Sequence, residues 1–202
     1  MIQGIEISHW QDDKSTAQKM DFTKAVKMGD KFVYIKVSER GGIDSDFLYN
    51  WKAAKDAGFL RGRYHFLRRG LSGLLQAHIF CNILRDDPGE LPPIADFEAP
   101  NLGILYPSNA LLEQFLVEVE TKTRRRPMLY TSPGYWSIHG RNKYTKAFDA
   151  NWAYYQMWIA HYMKTYTPAV SKPDEIEPWK SNNKAWTFWQ YTNLGDGLAY
   201  GD

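Results

Sequence analysis

The segment Pro92-Pro93-Ile94-Ala95-Asp96-Phe97-Glu98 puts two carboxylates two residues apart at the end of an apolar run. In an extended strand, residues i and i+2 share a face. Asp96 and Glu98 are therefore expected to point the same way, with Cα atoms about 6.6 Å apart and Phe97 on the opposite side. Two like charges held this close raise the pKa of one of them. A proton-bearing carboxylic acid beside an ionised carboxylate is what cleavage of a glycosidic bond requires. The plainer reading is a pair of solvated acids where a strand runs into a loop.

Other chemistry-bearing residues recur at the ends of apolar runs. Glu6 sits inside Gly4-Ile5-Glu6-Ile7-Ser8, where an acid is costly to bury unless it is paired or functional. Lys36 and Glu39 close a second run, as a functional pair or as a structural ion pair. Tyr64 with His65, Tyr130, Trp158 with Tyr162, and Trp189 with Gln190 close later ones. Tyr130, Trp158, Tyr162 and Trp189 are candidate platforms for flat sugar faces, with core packing as the competing reading, above all for Trp189. His9, His65 and His161 together with Asp96 show no metal-site spacing, and hydrogen-bonded histidines explain them better. A serine-hydrolase elbow is absent: the nearest fragment, Gly70-Leu71-Ser72-Gly73, has the wrong spacing.

The elements that must position these groups follow from the alternation of short β-rich runs with helical patterns. Strands are expected at 2–7, 31–37, 63–67, 92–97, 128–131, 156–161 and 185–191. Helices are expected at 21–28, 44–57, 74–84 and 108–123, the last with Leu111, Leu112, Phe115, Leu116 and Val119 on one stripe. Gly58 is a natural helix stop, and Pro168 to Pro178 reads as a surface loop. Strands alternating with helices imply βαβ units and a parallel sheet. Helices thin out after the fifth strand, so the expectation is an α/β barrel with an irregular final third, in one domain over residues 1–202.

Composition limits the alternatives. The 202 residues are 44% apolar and 24% charged, with a net charge of +2, which argues against a nucleic-acid binder. The basic clusters Arg61 to Arg69 and Lys122 to Arg126 read as solvated loops or helix ends. Cys81 is the one cysteine, so no internal disulfide can form, and it reads as a small core residue. No apolar run reaches the roughly 20 residues that span a bilayer. The start Met1-Ile2-Gln3-Gly4 lacks the pattern of a signal peptide, which leads to an expectation of synthesis in a cytoplasm.

Taken in order, these pieces resemble the Chalaropsis-type lysozymes, glycoside hydrolase family 25. The matching segments are Gly4 to Ser8 with Trp10-Gln11, Phe32 to Glu39, Asp46-Phe47, Ala54 with Ala57-Gly58, and Gly62 to Phe66. They continue with Leu91 to Glu98, Pro127 to Thr131, Trp158 to Tyr162 and Phe188 to Tyr191. The resemblance implies an irregular TIM-like (β/α)5β3 barrel. It also implies a muramidase that cuts the β-1,4 bond between N-acetylmuramic acid and N-acetylglucosamine of bacterial peptidoglycan, with retention and without a metal or organic cofactor. Carried onto this chain, it makes Glu98 the general acid/base and Asp96 the group that handles the substrate acetamido. Glu6 falls where the family usually has Asp, and Glu6 and Tyr64 are expected to join Asp96 in organising the acetamido group and the developing positive charge. The family's late acid would be Asp202, or the chain ends before it. The expected setting is an endolysin or wall-remodelling enzyme, monomeric, acting on the cell wall. The rivals are a non-catalytic wall-glycan binder on the same scaffold and a hydrolase of another N-acetylglucosamine polymer such as chitin.

Overall fold

The computed structural model describes residues 2–11, 20–83, 85–99, 105–162 and 173–193. Within them the chain alternates strand and helix over its first two thirds. The strands are β1 (Gly4–Ile7), β2 (Phe32–Glu39), β3 (Gly42–Ile43), β4 (Leu60–Phe66), β5 (Ile94–Asp96), β6 (Met128–Thr131), β7 (Gln156–Ala160) and β8 (Phe188–Gln190). The helices are α1 (Phe22–Met28), α2 (Phe47–Asp56), α3 (Gly73–Asn82), α4 (Asn109–Thr123) and α5 (Pro133–His139). Side-chain oxygens open four of these helices: Asp21 caps α1, Ser72 caps α3, Ser108 caps α4 and Ser132 caps α5. None of the described helices is long and apolar enough to cross a membrane.

The strands form one sheet in the order β1-β2-β4-β5-β6-β7-β8, every neighbour parallel, with the short β3 folded back antiparallel onto the end of β2. Strand alternation sorts the side chains into two layers. Val33, Ile35, Val37, Ala95, Phe97, Leu129, Met157 and Ile159 face the helices and join Leu112, Phe115, Leu116 and Val119 of α4 in the main core. Tyr34, Tyr64, Ile94, Met128, Tyr130, Trp158 and Ala160 form a second cluster on the other face. There Tyr34 packs on Trp158 at 4.9 Å and on Phe188 at 5.7 Å between ring centroids. β2 and β8 are not hydrogen-bonded neighbours, so the sheet must curl to bring these rings together. The result is a mixed α/β domain built on a curled parallel sheet.

Several expectations change. The sheet gains β3, and α5 follows directly on β6, where loops were expected. α2 starts at Phe47 rather than Asp44, because Asp44 turns inward. The cluster Arg61 to Arg69 divides: Arg68 and Arg69 lie in the loop after β4, with Arg69 exposed, but Arg61 and Arg63 do not. Arg61 and Arg63 lie in β4 and are buried, Arg61 pairing with Asp87 and Glu90 at 2.9 Å each and Arg63 donating to the Ile83 carbonyl at 2.7 Å. The Arg61 guanidinium holds the Asp87 carboxyl down at about 2. Cys81 is buried, as expected, and burial pushes its thiol up to about 11. Asp202, Leu84 and residues 168–172 of the expected loop lie outside the described residues.

Candidate active site

The second face of the sheet ends in a cluster of acids. β5 stops at Asp96, buried at the strand's last position, in register with Phe66 of β4 and Tyr130 of β6. Glu98 lies two residues past the strand and is half-buried. Its side chain reaches the same cluster, because the charges of Glu98 and Glu6 both act on Asp96, and Phe97 between them turns into the main core. The shared direction expected for Asp96 and Glu98 thus holds, although a loop rather than strand pleat sets it for Glu98. Glu6 comes from β1, at the open edge of the sheet.

Burial governs the protonation of all three acids. Asp96 is driven well above the usual carboxylate range, first by loss of water and then by the neighbouring Glu98 and Glu6 charges. Glu98 is pushed up to about 7, again by burial first and then by Glu6. Glu6 is raised by burial, and a hydrogen bond from Tyr64 together with the Lys36 charge partly offsets the rise. Near neutral pH the Asp96–Glu98 pair therefore retains a proton. Asp96 Oδ1 is buried and has no hydrogen-bond partner among the described residues, which marks it as a polar atom the fold leaves unsatisfied.

Side chains from the neighbouring strands hold these acids. Lys36, buried on β2, donates to Glu39 Oε2 at 2.6 Å, and Arg68 Nε donates to Glu39 Oε1. Glu39 is thereby held below its usual range against the cost of its burial. Lys36 and Glu39 are thus an ion pair, while the Lys36 charge also acts on Glu6, Asp96 and Glu98. Gln190 links the opposite side. Its Oε1 accepts from the Tyr130 hydroxyl at 2.6 Å and the Tyr162 hydroxyl at 3.2 Å, and its Nε2 donates to Glu6 Oε2 at 3.4 Å. The Glu98 and Asp96 charges act on both Tyr130 and Tyr162, and raise their hydroxyl pKa values further above the level set by burial.

Two aromatic candidates are engaged in packing. Trp189 packs against the main core beside Trp186 and donates Nε1 to the His161 carbonyl at 2.9 Å. It lies on the helix-facing side of β8, opposite Gln190, because adjacent strand residues point to opposite faces. Trp158 lies on the acid-bearing face but is buried among Tyr34, Tyr130 and Phe188. Tyr162 is half-exposed at the rim, where a flat ligand could reach it. His65 faces away from Asp96. Gln76 donates its amide nitrogen to two backbone carbonyls, so its Oε1 accepts from His65 Nε2 at 3.0 Å and the Ser38 hydroxyl donates to Nδ1 at 2.8 Å. The ring is thereby held neutral, and burial lowers its pKa to about 4. No group of three or more metal-ligand side chains occurs among the described residues.

The sequence reading missed Asp44. β3 turns the chain back so that Asp44 drops beside the cluster, where its charge raises Glu6 and Tyr64 further. Its Oδ2 lies 2.6 Å from His9 Nδ1. A two-residue strand has no periodicity to reveal it, so no local pattern pointed there.

The family model described as Glycosyl hydrolases family 25 matches residues 5–197. Lysozyme M1 of Streptomyces globisporus is 29% identical over 96% of this chain and 63% of its own length. The uncharacterized protein YegX of Escherichia coli K12 is 26% identical over 98% of this chain and 66% of its own length. The chain thus spans just under two thirds of these relatives. A bacterial lysozyme from Streptomyces coelicolor superposes with a TM-score of 0.75 at 28% identity, covering 96% of this chain and 85% of that one. A muramidase from Acremonium alcalophilum gives 0.74 at 28% identity, covering 98% and 90%. By the extent of the family match, the chain belongs to glycosyl hydrolase family 25.

Proposed function

We propose that the protein is a peptidoglycan hydrolase, an N-acetylmuramidase that cleaves the β-1,4 bond between N-acetylmuramic acid and N-acetylglucosamine. The observation that carries this reading is the placing of Glu98, half-buried and with its carboxyl pushed up to about 7 by burial and the Glu6 charge, beside a buried Asp96 whose Oδ1 has no partner among the described residues. A general acid works best with a pKa near the operating pH. Glu98 protonates the leaving glycosidic oxygen and then, as a carboxylate, takes a proton from the incoming water. Asp96 Oδ1 accepts from the substrate acetamido N–H and orients that group at the anomeric carbon. Glu6, held by Tyr64 and Gln190, adds negative charge opposite the developing oxocarbenium ion. Tyr130 and Tyr162 line the sugar's approach, and Lys36 with Glu39 borders the same mouth. The scaffold in this reading is the (β/α)5β3 barrel, closed across the β1–β8 edge by side chains such as Gln190 and Glu6.

The test is release of reducing ends and loss of turbidity from purified peptidoglycan. The wild-type protein is expected to cleave it, and Glu98→Gln to lose at least about 100-fold in rate, the usual worth of a general acid/base. Near-wild-type cleavage by Glu98→Gln would overturn the assignment. Equal release from chitin would move the substrate class to N-acetylglucosamine polymers in general. Binding of wall fragments without cleavage would favour a glycan-binding role.

A further inference from the structure

An open cleft of about 730 Å³ lies beside the acid cluster, between the β2–β3 turn and the loop that follows β4. Its charged lining is Lys36, Glu39, Arg40, Asp44, Arg68 and Arg69. The acids in this set are already engaged, Glu39 by Lys36 and Arg68, and Asp44 by His9. Arg40 and Arg69 have no carboxylate partner among the described residues, and Arg68 Nη1 is buried without a hydrogen-bond partner. The cleft therefore carries uncompensated positive charge. It is also built rather than incidental. Arg40 holds a left-handed backbone, φ 53°, that side-chain-bearing residues seldom adopt, and its guanidinium packs over Gly70. The Arg68 guanidinium lies over the Phe66 ring at 4.4 Å from its centroid.

Lys36 joins the cleft to the acids, since it lines the cleft and its charge acts on Glu6, Asp96 and Glu98. Arg68, which also lines the cleft, acts on Glu98 as well, so a glycan held at Glu98 lies next to the cleft. On muramic acid the lactyl ether leaves O3, on the ring carbon next to the one that bears the acetamido group. The peptide it carries ends in free carboxylates. We propose that this cleft is the subsite for the anionic peptide on muramic acid, with Arg40 and Arg69 pairing to its carboxylates. The proposal rests on the muramidase reading for the position of the sugar, and it adds what selects peptide-bearing strands. Guanidinium groups suit this task because they meet carboxylates with two parallel hydrogen bonds.

The experiment is titration calorimetry with two soluble probes, the disaccharide N-acetylglucosaminyl-N-acetylmuramic acid with its peptide and the same disaccharide without it. Wild-type protein is expected to bind the peptide-bearing probe about tenfold more tightly, about 1.4 kcal/mol. The double variant Arg40→Asn/Arg69→Gln is expected to lose that preference and keep its affinity for the bare disaccharide. Asn is chosen because it tolerates the left-handed backbone. Arg69→Gln alone, expected to lose part of the preference, serves if the double variant does not fold. Equal affinity of wild type for both probes, or a preference that survives in the variants, would overturn the proposal. So would displacement by a glycerol-phosphate wall polymer with no preference for the peptide. The readout needs no cleavage. A chain that prefers the peptide-bearing probe yet releases no reducing ends keeps the cleft and loses the hydrolase reading. A chain that cleaves peptidoglycan but shows no preference keeps the hydrolase reading and loses the cleft.

Discussion

Gln190 Nε2 lies 3.4 Å from Glu6 Oε2, so one amide ties the last strand of the sheet to the first. The same amide accepts from both Tyr130 and Tyr162 through Oε1. Replacing it by a residue of similar size and no polarity, Gln190→Leu, leaves two hydroxyls and a carboxylate to find new partners. The expected cost is about 1–3 kcal/mol of stability, because the buried Tyr130 hydroxyl and Glu6 carboxylate lose a hydrogen bond, while the half-exposed Tyr162 can turn to water. As a positioning residue, Gln190 should affect kcat more than KM. Denaturant midpoints and steady-state kinetics check this, and a variant as stable and as active as wild type would remove Gln190 from the site.

The raised pKa of Glu98 makes it a stability liability at neutral pH. Its folded value, about 7, stands above its ordinary 4.5, so the folded state holds a proton that the unfolded chain has released between these values. Stability from this group is complete below about pH 4.5 and is lost as pH rises through 7. Glu98→Gln, which keeps the shape and carries no charge, should therefore gain about 1–2 kcal/mol over wild type at pH 8 and little at pH 4. Melting temperatures at the two pH values measure this, and the gain at pH 8 should accompany loss of activity.

Glu6 shapes the pH profile from a distance. Its charge is the second cause, after burial, of the raised Glu98 carboxyl. Glu6→Gln keeps an acceptor for Tyr64 and removes that charge, so the Glu98 pKa falls. The alkaline limb of kcat/KM should move to lower pH by about half to one unit. A limb that stays in place, or moves up, would show that Glu6 does not act on Glu98 electrostatically.

What could be read in the sequence was what pattern determines. The apolar stripe of α4 reveals its helix and buried face, and the strand expected at 128–131 is β6 with the same bounds. Alternation, applied strictly, also forbids Trp189 and Gln190 from sharing a face, but which parity faces the acids depends on the register with β7. Arg61 looked solvated because its partners, Asp87 and Glu90, lie 26 and 29 residues further along the chain. Asp44 and the cleft arginines were hidden for a similar reason. They are brought to the site by a two-residue strand and by loops, where composition has no period to read.

The face that carries the acids rests on one close approach, and this gives the last prediction. Tyr34 lies across Gly62 on the neighbouring strand, so a Cβ at Gly62 would stand 2.0 Å from Tyr34 Cε1. The ring has no room to yield: it is fully buried, packed on Trp158 and Phe188, and its hydroxyl donates to the Pro92 carbonyl at 3.3 Å. Gly62→Ala should therefore cost about 3 kcal/mol or more, the upper end for overpacking a core. Gly134→Ala is the control: in α5 nothing lies within 4 Å of the added carbon, so it should be neutral or slightly stabilising. If the clash is the cause, combining Gly62→Ala with Tyr34→Ala should cost clearly less than the sum of the two single changes. Additive losses in urea unfolding would mean that the cost at Gly62 does not come from Tyr34 and that Tyr34 does not set the spacing of β2 and β4.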